Sequence, residues 1–207
     1  MNKSLNHLVG KSANQLIKLF LQINILLMRK LSMDELNRKS VYEVKESVKN
    51  PVVAVLENVR SAYNVGSVFR TADAFLIESI FITGYTAVPP HKEIKKTALG
   101  AEDSVHWKYF KTTKEAIENL QKNEYKVFAV EQVTNSISLE NIAELCGDKI
   151  AFIFGNEVSG VDHEILSLCD GCVEIPQFGM KHSLNISVAA GIVLWEAVRN
   201  FQFAEKK

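Results

Sequence analysis

Apolar and polar positions alternate between two rhythms from residue 52 onward. Val52-Val53-Ala54-Val55-Leu56 is an unbroken apolar run of strand length, as expected of a strand buried on both faces. Residues 64–75 have helical spacing, with Asn64 as a plausible N-cap. Ser79-Ile80-Phe81-Ile82-Thr83 reads as a second strand, closed by Gly84. Residues 104–109 predict a weaker strand, and 113–122 a helix with Ala116, Ile117 and Leu120 on one face. Residues 126–130 and 150–154 predict two more strands, the second ending at Gly155. A short helix over 161–169, a strand from Cys172 to Ile175 stopped by Pro176, and a long helix over 185–203 complete the pattern.

Nearly uniform apolar strands separated by helices predict an α/β fold, a parallel sheet with helices on both faces. Ligands in such sheets bind beyond the carboxyl ends of the strands. The informative places are therefore the segments after Leu56, Thr83, Phe154 and Ile175. Residues 85–101 form a long, Pro-containing connection, of a kind that often carries function.

The N-terminal part is different. Residues 19–28 are apolar but short, and Gln22 and Asn24 interrupt them, whereas a membrane span needs about 20 apolar residues. Arg29-Lys30 follows where a secretory signal would carry a small-residue cleavage site. No membrane association is expected. The segment predicts a packed helix in an N-terminal helical extension, residues 1–50, ahead of the main α/β domain at 51–207. A second reading takes Met28 or Met33 as the natural start and 1–27 as an extension of the reading frame.

Length and composition fit one globular domain: 207 residues, 47% hydrophobic and 23% charged. Lys+Arg and Asp+Glu are both 24, which excludes a polyanion binder held by bulk charge but leaves room for a basic face. The odd number of cysteines points to a reducing, cytoplasmic setting. Cys169 and Cys172 form a lone C-x-x-C with only Cys146 and His163 nearby, so small buried residues are the preferred reading and no metal is expected. Neither G-x-G-x-x-G nor G-x-x-x-x-G-K-[ST] occurs, against the usual nicotinamide and nucleoside-triphosphate sites.

Three strand ends run into helices through Gly, Asn and Ser, which present backbone N–H groups and small side chains to a ligand. Asn64 with Arg70 and then Thr71-Ala72-Asp73-Ala74 is the first segment. Phe154-Gly155-Asn156-Glu157 with Gly160-Val161 is the second. Ile175-Pro176 with Ser183-Leu184-Asn185-Ile186-Ser187-Val188-Ala189-Ala190 is the third. In order and separation, these resemble the three motifs of the SPOUT superfamily, in its SpoU/TrmH branch of RNA ribose 2′-O-methyltransferases. The resemblance covers about residues 52–200. Gln177 and Val158 depart from it, standing where Met and Gly are common.

The resemblance implies a C-terminal trefoil knot whose loops bind S-adenosylmethionine, and a homodimer with the active site near the subunit interface. It implies methyl transfer to a ribose 2′-hydroxyl of RNA, with tRNA first and rRNA as the alternative, beside a catalytically silent RNA-binding role. It places Arg70, Asn64, Glu157, Ser183 and Asn185 at the polar active-site positions. Phe154, Gly155, Asn156, Ile175, Pro176, Ser183 and Leu184 fall around the cofactor, with Thr83 and Gly84 as another wall. Plainer readings stand beside these. Asn64, Ser183 and Asn185 also suit helix caps, Glu157 a structural carboxylate, and Arg70 a surface side chain.

Overall fold

The computed structural model describes residues 13–32, 34–144, 147–180 and 183–203. Met33, Cys146 and His182 lie outside them. The chain divides into two compact units, 1–38 and 39–207. In the first, the expected helix forms as α1 (Ala13–Leu27), but its apolar side chains are exposed, Phe20 by 66% and Ile25 by 63%.

The second unit begins earlier than residue 51. Its first element, α2 (Val41–Glu46), is held by a capping box between Ser40 and Glu43, and its Val44 is buried. There follow β1 (Asn50–Glu57), α3 (Ala62–Ala74), β2 (Ile77–Thr83), α4 (Lys92–Ala98), α5 (Ala101–Ser104) and β3 (Trp107–Phe110). Then come α6 (Thr113–Lys122), β4 (Lys126–Val130), β5 (Ile137–Ser138) and a 3-10 helix (Leu139–Glu144). The chain continues with β6 (Ile150–Phe154), α7 (His163–Leu166), β7 (Gly171–Glu174) and α8 (Ile186–Phe203). Contact between α2 and α5 ties residues 39–50 to this unit.

The strands form one seven-stranded sheet, in the order β3-β2-β1-β6-β4-β7-β5, and every pairing is parallel. Both faces are covered. Along β1 the even positions Val52, Ala54 and Leu56 join the core beneath α3 and α8, while Val53 and Val55 join the core beneath α6. This is why the run is apolar at every position: the pleat sends alternate side chains to opposite cores. β6 enters between β1 and β4, and β7 between β4 and β5. A chain threaded through its own loop must insert late strands among early ones, so this order is compatible with the expected knot.

Three local expectations need correction. The connection 85–101 is not structureless, because α4 occupies its second half with Ile94 and Ala98 buried. The weak strand starts only at Trp107, since residues 101–104 close into a helical turn first. The helix expected over 161–169 is the single turn α7, after which the Asp170 carboxylate accepts the Val127 N–H and draws the chain into β7.

Candidate active site

Strand order decides where the site lies. β1, β6, β4 and β7 are consecutive in the sheet, and their carboxyl ends share one rim. A cavity of about 990 Å³ opens there, at the upper end of the usual range for small-molecule sites. Asn58, Gln132, Phe154 and Ile175 line it from the strand ends, and Leu184 and Ile186 from the start of α8.

The loop after β6 is braced by its own asparagine. Asn156 Nδ2 donates to the Asn58 carbonyl at 2.8 Å and to the Tyr85 hydroxyl at 2.7 Å. Its Oδ1 accepts the Val158 and Ser159 N–H groups, and a backbone bridge to Gly160 closes the loop. Gly155 is required by close approach: a Cβ there would lie 2.3 Å from the Gly160 carbonyl carbon and the Val161 nitrogen.

Glu157 turns from this loop towards the start of α3. Its carboxylate accepts the N–H groups of Arg60 at 2.9 Å and Ser61 at 3.1 Å, and Asn64 Nδ2 at 2.9 Å. An anion at a helix N-terminus is favoured there. Burial raises its pKa, but the hydrogen bonds from Arg60, Asn64 and Ser61 outweigh that and the net shift is downward. Asn64 is not the N-cap; Ser61 is, through an Oγ that accepts the Asn64 N–H. The Asn64 side chain is thereby free to bridge, taking Asn185 Nδ2 on its Oδ1 at 3.2 Å. Asn185 Oδ1 in turn accepts the N–H and hydroxyl of Ser187, so Asn185 both caps α8 and extends the relay.

Arg70 stands two turns further along α3, outside this cavity. It is exposed and lines an adjoining cleft of about 540 Å³ with Ser67, Thr71, Lys96, Thr97 and Ser187. Among the described residues no hydrogen bond or ion pair holds it. Ser187 lines this cleft and Asn185 the first, so the relay from Glu157 runs between the two spaces.

Of the residues expected around the cofactor, Phe154, Gly155, Asn156, Ile175, Ser183 and Leu184 line the cavity. Thr83, Gly84 and Pro176 do not. Thr83 is fully buried, its Oγ1 bonded to the Leu56 carbonyl and to Thr113 Oγ1, because β2 lies on the far side of β1. Gly84 backs onto the Asn58 side chain instead. From the segment after β2 it is Tyr85 that lines the cavity, and the end of β4 adds a wall at Val130, Glu131 and Gln132. The polar pair after Val130 was the available signal, but only strand order makes it meaningful.

The cavity is acidic. Glu57, Glu131, Glu157, Asp162 and Glu174 line it, with no lysine or arginine among the described lining residues. Glu57 is 2% exposed; burial pushes its pKa up, and the Asp162 N–H that it accepts at 3.1 Å works against that. Such a donor set suits a cationic ligand and repels a polyphosphate. Backbone and apolar groups at Phe154, Ile175 and Leu184 suit a flat heterocycle, so the residues present fit S-adenosylmethionine. Cys169 and Cys172 pack against the core beneath α6, and burial pushes the Cys169 thiol up to about 12.

A parallel α/β sheet with an acid-lined cavity at its strand ends, beside an arginine-bearing cleft, defines the class: an α/β protein with a small-molecule site at the carboxyl ends of its strands. Within that class, the SpoU rRNA Methylase family model matches residues 51–195, and the chain belongs to this family. It is similar to the tRNA (guanosine(18)-2′-O)-methyltransferase of Thermus thermophilus, 31% identical over 80% of this chain and 83% of the relative. The solved TrmH/SpoU tRNA modifying enzyme of A. aeolicus superposes with a TM-score of 0.68 at 25% identity, over 77% of this chain and 80% of that one. An AdoMet-bound rRNA methyltransferase from Sinorhizobium meliloti superposes with a TM-score of 0.67 at 26% identity, over 81% of this chain and 62% of that one.

Proposed function

We propose that this protein transfers a methyl group from S-adenosylmethionine to a ribose 2′-hydroxyl of tRNA. One observation carries this reading: Glu157, Asn64 and Asn185 connect the acidic cavity to the cleft of an unengaged arginine, Arg70. When bound, S-adenosylmethionine supplies an electrophilic methyl group on a cationic sulfur. Phe154, Gly155, Ile175, Ser183 and Leu184 would hold it, with the carboxylates favouring its positive charge.

The chain's own task is to hold the ribose oxygen in line and stabilise it as it loses its proton. A guanidinium, with a pKa above about 12, is a poor base. Arg70 instead grips the adjoining phosphate and stabilises the forming alkoxide, a role suited to its planar fork. Glu157 is a weak base here, since its oxygens are already bonded and its pKa is lowered. A phosphate oxygen or water takes the proton. Asn64 and Asn185 keep α3 and α8 in register around this point.

The wider reading follows the family. Residues 51–207 would form the catalytic domain, with its C-terminal part threaded as a trefoil knot, and 1–50 an extension whose last residues, 39–50, pack with that domain. The protein would act in the cytoplasm as a homodimer; the exposed stripe Val188, Ile192 and Trp195 on α8, beside Ser187 of the Arg70 cleft, supports pairing there. None of the described helices is long and apolar enough to cross a membrane. rRNA is the second substrate reading, favoured by the name of the Sinorhizobium relative.

The test is transfer from labelled S-adenosylmethionine to separated tRNA and rRNA pools lacking the modification. Alkali-resistant label in tRNA is expected. Arg70→Ala should lower turnover by about two to four orders of magnitude with cofactor affinity kept. Label in rRNA alone would move the substrate, and an active Arg70→Ala would remove Arg70 from the chemistry.

A further inference from the structure

The cleft beside Arg70 carries a second cation that the three sequence motifs do not include. Lys96, on α4, faces the same space as Arg70, on α3. The hydroxyls of Ser67, Thr71, Thr97 and Ser187 also line it, and no described carboxylate does. Two cations among hydroxyls, with no acid to neutralise them, are the chemistry of a phosphodiester site.

This cleft is built by close helix packing. Gly66 sits inside α3, where glycine is less favourable than alanine. The reason is on the facing helix: a Cβ at Gly66 would meet Thr97 Oγ1 at 2.2 Å and the Ile94 carbonyl at 2.4 Å. Thr97 Oγ1 also donates to the Tyr63 carbonyl at 2.9 Å, latching α4 to the first turn of α3. Lys96 then lies with its Nζ 3.4 Å from the Tyr63 hydroxyl and 5.7 Å from that ring's centroid. An aromatic face and a phenol orient an ammonium without cancelling its charge. Lys96 is therefore oriented by the fold, and neither it nor Arg70 faces a described carboxylate in the cleft.

We propose that Lys96 binds an RNA phosphate beside the one gripped by Arg70, fixing the backbone on either side of the reacting ribose. Tyr63 is its positioning residue. This rests on the methyl-transfer reading above and deepens it: Lys96 contributes to holding the RNA, not to cofactor binding or to the reacting oxygen.

The experiment measures binding of unmodified tRNA transcript across a potassium chloride series, with calorimetry of S-adenosylmethionine binding on the same proteins. Lys96→Gln should weaken RNA binding by about tenfold at low salt and reduce the log–log salt slope by about 0.7 to 0.9, one phosphate contact. Lys96→Arg should keep the slope, and cofactor affinity should not change in either variant. KM for RNA should rise more than kcat falls. Tyr63→Leu should weaken RNA binding while keeping most of the slope, because the charge remains but is no longer oriented. An unchanged slope and affinity in Lys96→Gln, with the parent protein active on RNA, would overturn the proposal alone. A parent protein that neither binds nor methylates RNA would overturn the function and this inference together.

Discussion

Glu157 accepts hydrogen bonds from Arg60, Ser61 and Asn64, and those partners define its role. A carboxylate so engaged holds the entry of α3 against the loop after β6, as an anion placed at a helix N-terminus. Its contribution to folding follows from its lowered pKa. A carboxyl group that is more acidic in the folded state stabilises the fold above its unfolded value, ordinarily 4.5, and loses that effect as pH falls through the folded value. Glu157→Gln should therefore lower stability by about 1 kcal/mol near neutrality, a typical cost for losing a charged helix cap. The gap between parent and variant should shrink in acid. Urea unfolding of both proteins, at neutral pH and well below the carboxylate range, checks this. An equal gap at both would mean that shape, not charge, is what Glu157 contributes.

Elements carry the next level of the argument, and the loop 155–160 is the sharpest case. Its asparagine is spent on the loop itself, and its glycine has no room for a methyl group. Gly155→Ala should push Gly160 and Val161 out of place and lower S-adenosylmethionine affinity by at least about tenfold, since a packed backbone has little room to yield. Calorimetry on a variant whose circular dichroism is unchanged would show it; normal affinity would mean that this backbone does not touch the cofactor. The buried strands β1, β4 and β6 were legible as apolar runs, and α6 as a helical stripe. α4 was not, because only Ile94 and Ala98 face inward on a short, lysine-rich helix behind two prolines. The Gly, Asn and Ser turns marked most of the cavity in advance. Its fourth wall stayed hidden because strands buried on both faces look alike in sequence. Nothing in an apolar run says that β4 sits next to β6 while β2 sits beyond β1. Asn64 was ambiguous for a similar reason: a cap and a bridging amide call for the same residue, and only Ser61 in the cap position separates them.

At the scale of the whole molecule, α8 keeps an apolar face partly exposed. Ile186, Ala190, Val193, Leu194 and Ala197 are buried, whereas Val188, Ile192 and Trp195 are exposed by 50%, 40% and 45%. Gly191 lies on that outer face, and a Cβ there would meet nothing within 4 Å. A glycine inside a helix costs about 1 kcal/mol, and here nothing in the protomer requires it. Close approach of a second helix would, and the apolar stripe on either side is what such a helix would bury. The same end of α8 supplies Asn185 to the relay and Ser187 to the Arg70 cleft, so pairing there would enclose the chemistry as well as bury area. The parent protein should sediment as a dimer. Ile192→Glu should sediment as a monomer, because a carboxylate buried without a partner costs several kcal/mol. Its S-adenosylmethionine affinity should fall less than its turnover on RNA, since the cavity is lined within one protomer while the cleft lies beside the paired face. A monomeric parent with full activity would place the stripe outside the function, and the reaction would then be complete in one chain.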